Sequence, residues 1–182
     1  MYRIRHTMLH AVRGDWRQVP AHGFWRFTEP SLRPDDAFIK RGGLVLQTRT
    51  REVAPIPRGD ATITAGGALS FPFVVHLAAL EGGRVPSRET LVSAVRDALS
   101  LSHHQSLRTV LIPMPNLLQG ISPDEFARTV AETISGHLHE QISKLERCIL
   151  LGADETEYGG WHQAVNAQRE LLSLPPLETA GT

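Results

Sequence analysis

The side chains able to do chemistry in this chain fall into three groups. The nine histidines make no metal-ligand set. His137 and His139 are two apart on a segment with helical periodicity and point to different sides, His103 and His104 are adjacent, and His6 and His10 on a strand would stand about 13 Å apart. His76 lies inside the apolar run Phe71–Ala79, the setting of a hydrogen-bonded core histidine. The single cysteine, Cys148, sits in a strand-like stretch; it cannot form an internal disulfide and reads as a buried structural thiol rather than a nucleophile. No nucleophile elbow, Walker loop or pair of zinc-spaced cysteines occurs, and neither a carboxylate pair nor a poised histidine marks a reacting centre. We therefore expect no catalytic residue, no metal and no cofactor.

The third group stands at turns. Asp15 closes a Gly14-Asp15 turn, and its carboxylate is able to accept an amino group or to cap the segment that follows. Asn116, Gln119, Gly120, Ile121 and Ser122 precede a helix start, where amide and backbone N–H groups converge on an anion; an ordinary strand-to-helix connection has the same composition. Arg33 offers a charge to a phosphate or to solvent. Phe24, Trp25 and Phe27, set among prolines, fit three uses: a base-stacking surface, a cluster over a sheet edge, or a homo-oligomer contact.

These residues need elements to hold them. Residues 8–13 read as a strand. From Trp16 to Asp36, Pro20, Gly23, Pro30 and Pro34 argue for irregular chain without a helix. Leu44–Val53 alternates with a period of two and reads as a strand, hairpinned through Gly42-Gly43 onto Ala37–Arg41. Phe71–Ala79 is apolar almost throughout, as in a central strand covered on both faces. Ser87 caps a helix carrying Leu91, Val95 and Leu99, and Val110–Ile112 is a strand closed by Pro113 and Pro115. Ser122, Pro123 and Glu125 together mark a helix start, and Phe126, Val130, Ile134, Leu138 and Ile142 form its stripe. Cys148–Leu151 is a last core strand and Tyr158–Leu172 a final helix. Strands and helices alternating at this spacing make an α/β fold with right-handed crossovers and a largely parallel sheet.

The bulk numbers agree. At 182 residues, 41% hydrophobic and 21% charged, the chain suits one folded domain over 1–172 with a loose tail at 173–182. Nineteen basic residues balance nineteen acidic ones, so no global field draws it to nucleic acid or anionic lipid. No run is long enough for a membrane span and the first ten residues lack a signal-peptide core, so we expect a cytoplasmic protein without a membrane partner.

Several stretches, in order, resemble a macro domain. The Gly14-Asp15 turn after the first strand is one. Gly59-Asp60-Ala61-Thr62-Ile63-Thr64-Ala65-Gly66-Gly67-Ala68-Leu69, followed by Phe73-Val74-Val75-His76, matches the family's G-x-A-x-I-T-x-G-x-x-L and V-I-H pattern. The helix from Ser87, the strand Val110–Pro113, the capped helix after Gly120, and the aromatics Tyr158 and Trp161 behind the last strand follow in place. The resemblance spans about residues 8–165. It implies a three-layer α/β/α macro-like fold with a mixed, largely parallel central sheet, and ADP-ribose or a related nucleoside diphosphate as ligand. It makes Asp15 the adenine contact and puts Asp35, Asn116, Gln119, Gly120, Ile121 and Ser122 at the ligand loops.

Two loops depart from the family pattern. Val19–Trp25 has no asparagine where the family's ribose-binding turn does. Glu29-Pro30-Ser31-Leu32-Arg33-Pro34-Asp35-Asp36 replaces a glycine-rich phosphate loop, with two prolines that lack an N–H and carboxylates that repel a diphosphate. Pro113–Ile121 likewise replaces a Gly-x-Gly loop. Three outcomes follow from the sequence: a ligand-binding module with altered loops, an assembly module whose cleft is plugged by Phe24, Trp25 or Leu117, or an ADP-ribosyl hydrolase. The third is ranked last because the ribose-side asparagine and glycine loop it would use are missing.

Overall fold

The computed structural model describes residues 1–115 and 119–173; the expected tail, beyond Ser173, and Asn116 lie outside them. Seven strands form one sheet: β1 (Tyr2–Ile4), β2 (Thr7–Arg13), β3 (Gly23–Thr28), β4 (Ala61–Ala65), β5 (Phe73–Ala78), β6 (Thr109–Pro113) and β7 (Arg147–Gly152). Their spatial order is β1-β2-β7-β6-β3-β5-β4. The five inner strands run parallel, and the two edges, β1 on β2 and β4 on β5, are antiparallel. The α/β/α architecture with a mixed, mostly parallel sheet is thus the one expected.

Alternation along the strands sets the layers. Val75 and Leu77 of β5, with Trp25 and Phe27 of β3, enter the main core with α3 (Arg88–His104), α4 (Pro123–Glu140) and α5 (Glu155–Leu171). Val74 points the other way, onto Ile39 of α1 (Ala37–Arg41) and Leu46 of α2 (Gly43–Val53). Phe24 also faces that side, in a cluster with Phe71, Leu111, Ile149 and Leu151. Three helix starts obey the capping chemistry: Ser87 accepts from the Thr90 amide at 3.2 Å, Ser122 from Glu125 at 3.1 Å, and Asp154 from Glu157 at 2.9 Å.

Four expectations need correction. Ala37–Arg41 and Leu44–Val53 are helices, not a hairpin. Asp36 caps the first by accepting the Ile39 amide at 2.9 Å, and the second buries Leu46 and Thr50, four residues apart. The period-two pattern was incidental, since Leu44 and Val45 are left 74% and 56% exposed. The irregular stretch after Trp16 contains β3, all six residues of which are buried, and a 3-10 turn at Trp16–Gln18. The run Phe71–Ala79 is one strand in from the edge rather than central, and both its faces are nonetheless covered, which is what its composition reports. Ile142 falls beyond α4 and is 73% exposed.

Candidate functional site

Because β2, β7, β6 and β3 are parallel neighbours, their C-terminal ends come to one rim: Gly14-Asp15 after β2, Ala153 after β7, Met114-Pro115 after β6, and Phe27-Thr28 closing β3. In open α/β sheets this rim is where ligands bind. Here it carries a cleft of about 610 Å³. Its wall is aromatic: Trp16, Phe24 and Phe38 all line it, with Phe24 and Phe38 stacked at 4.8 Å between centroids and Trp16 edge-on to Phe24 at 5.7 Å. A side compartment of about 290 Å³ shares Arg26, Phe27 and Pro115 with the main cleft and adds Thr28, Glu29, Arg33 and Gly83.

Beneath the rim lies a buried cation. The Arg26 side chain is 8% exposed and pairs with Asp36; one Nη donates to the Leu32 carbonyl at 2.9 Å and to His76 Nδ1 at 3.2 Å. Its carbon stands 5.8 Å from the Phe38 ring centre. Burial lowers the Arg26 pKa while the Asp36 carboxylate opposes that shift. Burial, with the Arg26 charge adding to it, depresses His76 to about 3, so this imidazole is neutral at ordinary pH. A guanidinium only donates, hence Nδ1 accepts, the proton resides on Nε2, and Nε2 donates to Thr64 Oγ1 at 2.9 Å. His76 is the hydrogen-bonded core histidine the sequence suggested.

Of the residues expected at the site, Asp15 lines the cleft. Its Oδ1 accepts from the Arg17 amide at 3.0 Å and from Nε at 2.9 Å, and its Oδ2 from Nε at 2.7 Å and from Nη2. These bonds hold its carboxyl down at about 2. Asp35 is placed elsewhere: it accepts from Gln47 at 2.9 Å and Arg51 at 2.5 Å on α2, and is 66% exposed. Gln119 has its backbone joined to the turn at Gly83–Val85, donating to the Gly83 carbonyl at 3.2 Å and accepting from Val85 at 3.3 Å. Gly120 adopts φ of 79°, Ile121 packs on the main core, and Ser122 is the α4 cap. None of these last five residues lines the cleft or its side compartment.

The 29–36 loop is held by its own bonds. The Leu32 amide donates to Glu29 at 2.8 Å and the Asp36 amide to Arg33 at 3.1 Å, while Ile56 donates to the Pro30 carbonyl at 3.0 Å. Leu32 is fully buried, and Leu32 and Arg33 take positive φ of 55° and 39°. With prolines at 30 and 34, four of the loop's eight backbone nitrogens are unable to meet a phosphate.

Sequence reasoning missed Arg26, Phe38, Met114 and Glu157. Arg26 had a signal, as the one charge in an otherwise apolar Phe24–Phe27 segment. Glu157 had another, three residues after the Asp154 cap. Cys148 is fully buried, and burial pushes its thiol up to about 12. Among the described residues, no group of three or more His, Cys, Asp or Glu side chains is arranged to hold a metal ion, and no helix is long and apolar enough to cross a membrane.

A mixed, mostly parallel sheet flanked by helices, with an aromatic cleft at its C-terminal rim, defines an α/β cleft protein. Residues 34–131 match the family model described as Macro domain. An uncharacterized protein of Aquifex aeolicus is 34% identical over 130 residues, covering 70% of this chain and 77% of its own. The chain therefore belongs to the macro domain family. The structure is similar to that of the Oceanobacillus iheyensis macrodomain with ADP, with a TM-score of 0.82 and 20% identity over 93% of this chain and 96% of that one. A mutant of the same macrodomain with ADPR aligns with a TM-score of 0.81 and 21% identity, covering 93% and 97%.

Proposed function

We propose that this protein is a cytoplasmic binding module that takes ADP-ribose or a related nucleoside diphosphate into the rim cleft and does no chemistry on it. The observation that carries the reading is the cleft itself. It has about 610 Å³ of space at the sheet's C-terminal rim, walled by rings that offer π-faces to a base. Similar macrodomains with ADP and with ADPR support it. The nucleoside end lies beside Gly14–Trp16, and the phosphates run toward Arg26 and Pro113–Pro115. Calorimetry with ADP-ribose, ADP and adenosine at up to millimolar concentration tests the proposal. Saturable heat from ADP-ribose or ADP is the expected result; silence from all three removes it.

One observation favours a second reading, an assembly module that has given up the ligand. The 29–36 loop uses its amides internally, and the carboxylates of Glu29 and Asp36 line the side compartment. Against this, Phe24 forms a wall of the cleft and does not fill it; Leu117 lies outside the described residues. This reading requires a stable oligomer, and light scattering behind size exclusion decides it.

A further inference from the structure

We propose that the end of the sheet opposite the cleft, where Arg3, Arg5, Lys144 and Arg147 surround exposed histidine rings, docks single-stranded nucleic acid. The proposal is independent of what the cleft holds. It starts from how the charges are distributed. Nineteen basic and nineteen acidic residues cancel over the whole chain. These four cations are nonetheless exposed, and among the described residues none pairs with a carboxylate. The acids of the neighbouring loop do not answer them. Glu146 is taken up by Arg108 at 3.2 Å, and Glu140 lines the groove between α3 and α4 that also holds Arg96 and Asp97.

The fold gathers the four into one surface. Arg3, Met8, Arg147 and Thr109 are register partners across β1, β2, β7 and β6. They therefore share a sheet face, the one turned away from the core that Leu9, Cys148 and Val110 enter. Arg3 and Arg147 are two strands apart, roughly 10 Å. His10, on the same face of β2, feels the positive field: burial first, and then positive charge that includes Arg147, lowers its pKa. At the adjoining edge Arg5 donates to the His139 carbonyl at 2.8 Å. The Lys144 amide donates to His103 Nδ1 at 3.2 Å, and Lys144 Nζ donates to Ser106 Oγ at 2.9 Å. The His103 and His104 rings meet edge to face at 5.6 Å between centroids. These bonds hold the surface in place without a ligand. β7 runs six residues from Arg147 toward the cleft, which puts about 17 Å between the two ends. Cations interleaved with rings fit a single strand, whose phosphates meet the cations while its unpaired bases stack on the imidazoles. A bilayer needs contiguous apolar surface to insert, and Ile142, 73% exposed, is flanked by Gln141 and Ser143. An acidic peptide offers the charge and leaves the rings unused.

Fluorescence anisotropy of the full chain with a labelled oligothymidylate of about twenty nucleotides tests the proposal. Four phosphate contacts give log K a slope of about −2.8 against log salt, so going from about 50 to about 200 mM should weaken binding about 50-fold. Arg3→Gln combined with Arg147→Gln should weaken binding at low salt and bring the slope to about −1.4. Arg49→Gln combined with Arg88→Gln removes the same charge from α2 and α3 and should leave affinity and slope as they are. His104→Ala should cost about fivefold through lost stacking. Excess ADP should not displace the oligonucleotide, because the cleft is at the other end of the strands. Absence of binding at low salt overturns the proposal. So does a parent-like slope in the Arg3 and Arg147 double variant, an equal loss in the α2 and α3 control, an affinity unmoved by His104→Ala, or displacement by ADP. Capture by phosphatidylserine–phosphatidylcholine vesicles in place of the oligonucleotide would give the surface to a membrane and overturn it as well. Thermal melts of each variant, expected close to the parent, separate lost docking from lost fold.

Discussion

Replacing Arg26 by methionine should be among the most damaging single changes in the molecule, although it keeps the apolar stem. The guanidinium is the common partner of three groups: the Leu32 carbonyl, His76 Nδ1 and the Asp36 carboxylate. Methionine leaves the Leu32 carbonyl unbonded in a fully buried turn, at about 1–3 kcal/mol. Removing one partner of a buried ion pair costs about 3–5 kcal/mol, but Asp36 is 27% exposed and keeps its bond from the Ile39 amide, so about 1–2 kcal/mol is the fitting share. His76 recovers part of its loss by moving its proton to Nδ1 and accepting from the Thr64 hydroxyl at Nε2. The total is about 3 kcal/mol, a fall in Tm of about 6–12 °C for a chain of this size. Urea denaturation with an unchanged slope would read it. The exposed pair Arg49–Glu52, with side chains 62% and 51% exposed, supplies the control, and Arg49→Ala should cost less than about 0.5 kcal/mol. If Arg26→Met lies within about 0.5 kcal/mol of Arg49→Ala, the guanidinium is not the tie between strand and loop described above.

Two further outcomes follow from the same architecture. His76 has its folded pKa depressed to about 3, below an ordinary value near 6.5. Between those values the unfolded chain binds the extra proton, so the contribution to stability is full above about pH 6.5 and is lost as pH falls toward 3, at up to about 1.4 kcal/mol per pH unit. His76→Asn should flatten the stability–pH curve across that window, and an identical slope in parent and variant would discard this assignment. Gly66, the last glycine of the G-x-A-x-I-T-x-G run, faces the Phe71 carbonyl so closely that an added Cβ would lie 1.9 Å from the oxygen. Gly66→Ala should cost about 3 kcal/mol through displacement of the β4–β5 connection, and a variant melting with the parent would show that this connection yields freely.

How legible the molecule was depends on whether the signal was local. Capped helices were readable because Ser87 and Ser122-Pro123-Glu125 act on amides three residues away, and the structure forms those bonds. Ala37–Val53 was not, because an accidental alternation of Leu44, Leu46, Thr48 and Thr50 competed with a cap at Asp36 whose other role, pairing with Arg26, is tertiary. Nor was β3. Pro20 and Pro30 flank it outside the hydrogen-bonded ladder and do not interrupt it. The cleft was legible in its location, through Gly14-Asp15 and the β6 terminus, and not in its lining. Glu157 reaches it only because β2 and β7, some 140 positions apart in sequence (Arg13 to Gly152), are paired in register.

The altered loop also bears on how binding would work. In a loop built from glycine amides, order and affinity are linked, because unpaired N–H groups await an anion. Here the 29–36 segment is anchored without any ligand, by Leu32 in the core, by the Arg26–Asp36 pair beneath it and by the Pro30–Ile56 bond behind it. Such a loop loses little conformational freedom on binding, yet it also offers less to bind with. Affinity must then come from the aromatic wall more than from the phosphates. The consequence is a weak salt dependence: an Asp36-neutralised Arg26 contributes little long-range field, so raising ionic strength should leave the affinity for ADP nearly unchanged. A steep fall in affinity with salt would relocate the binding energy to the diphosphate and contradict this reading of the loop.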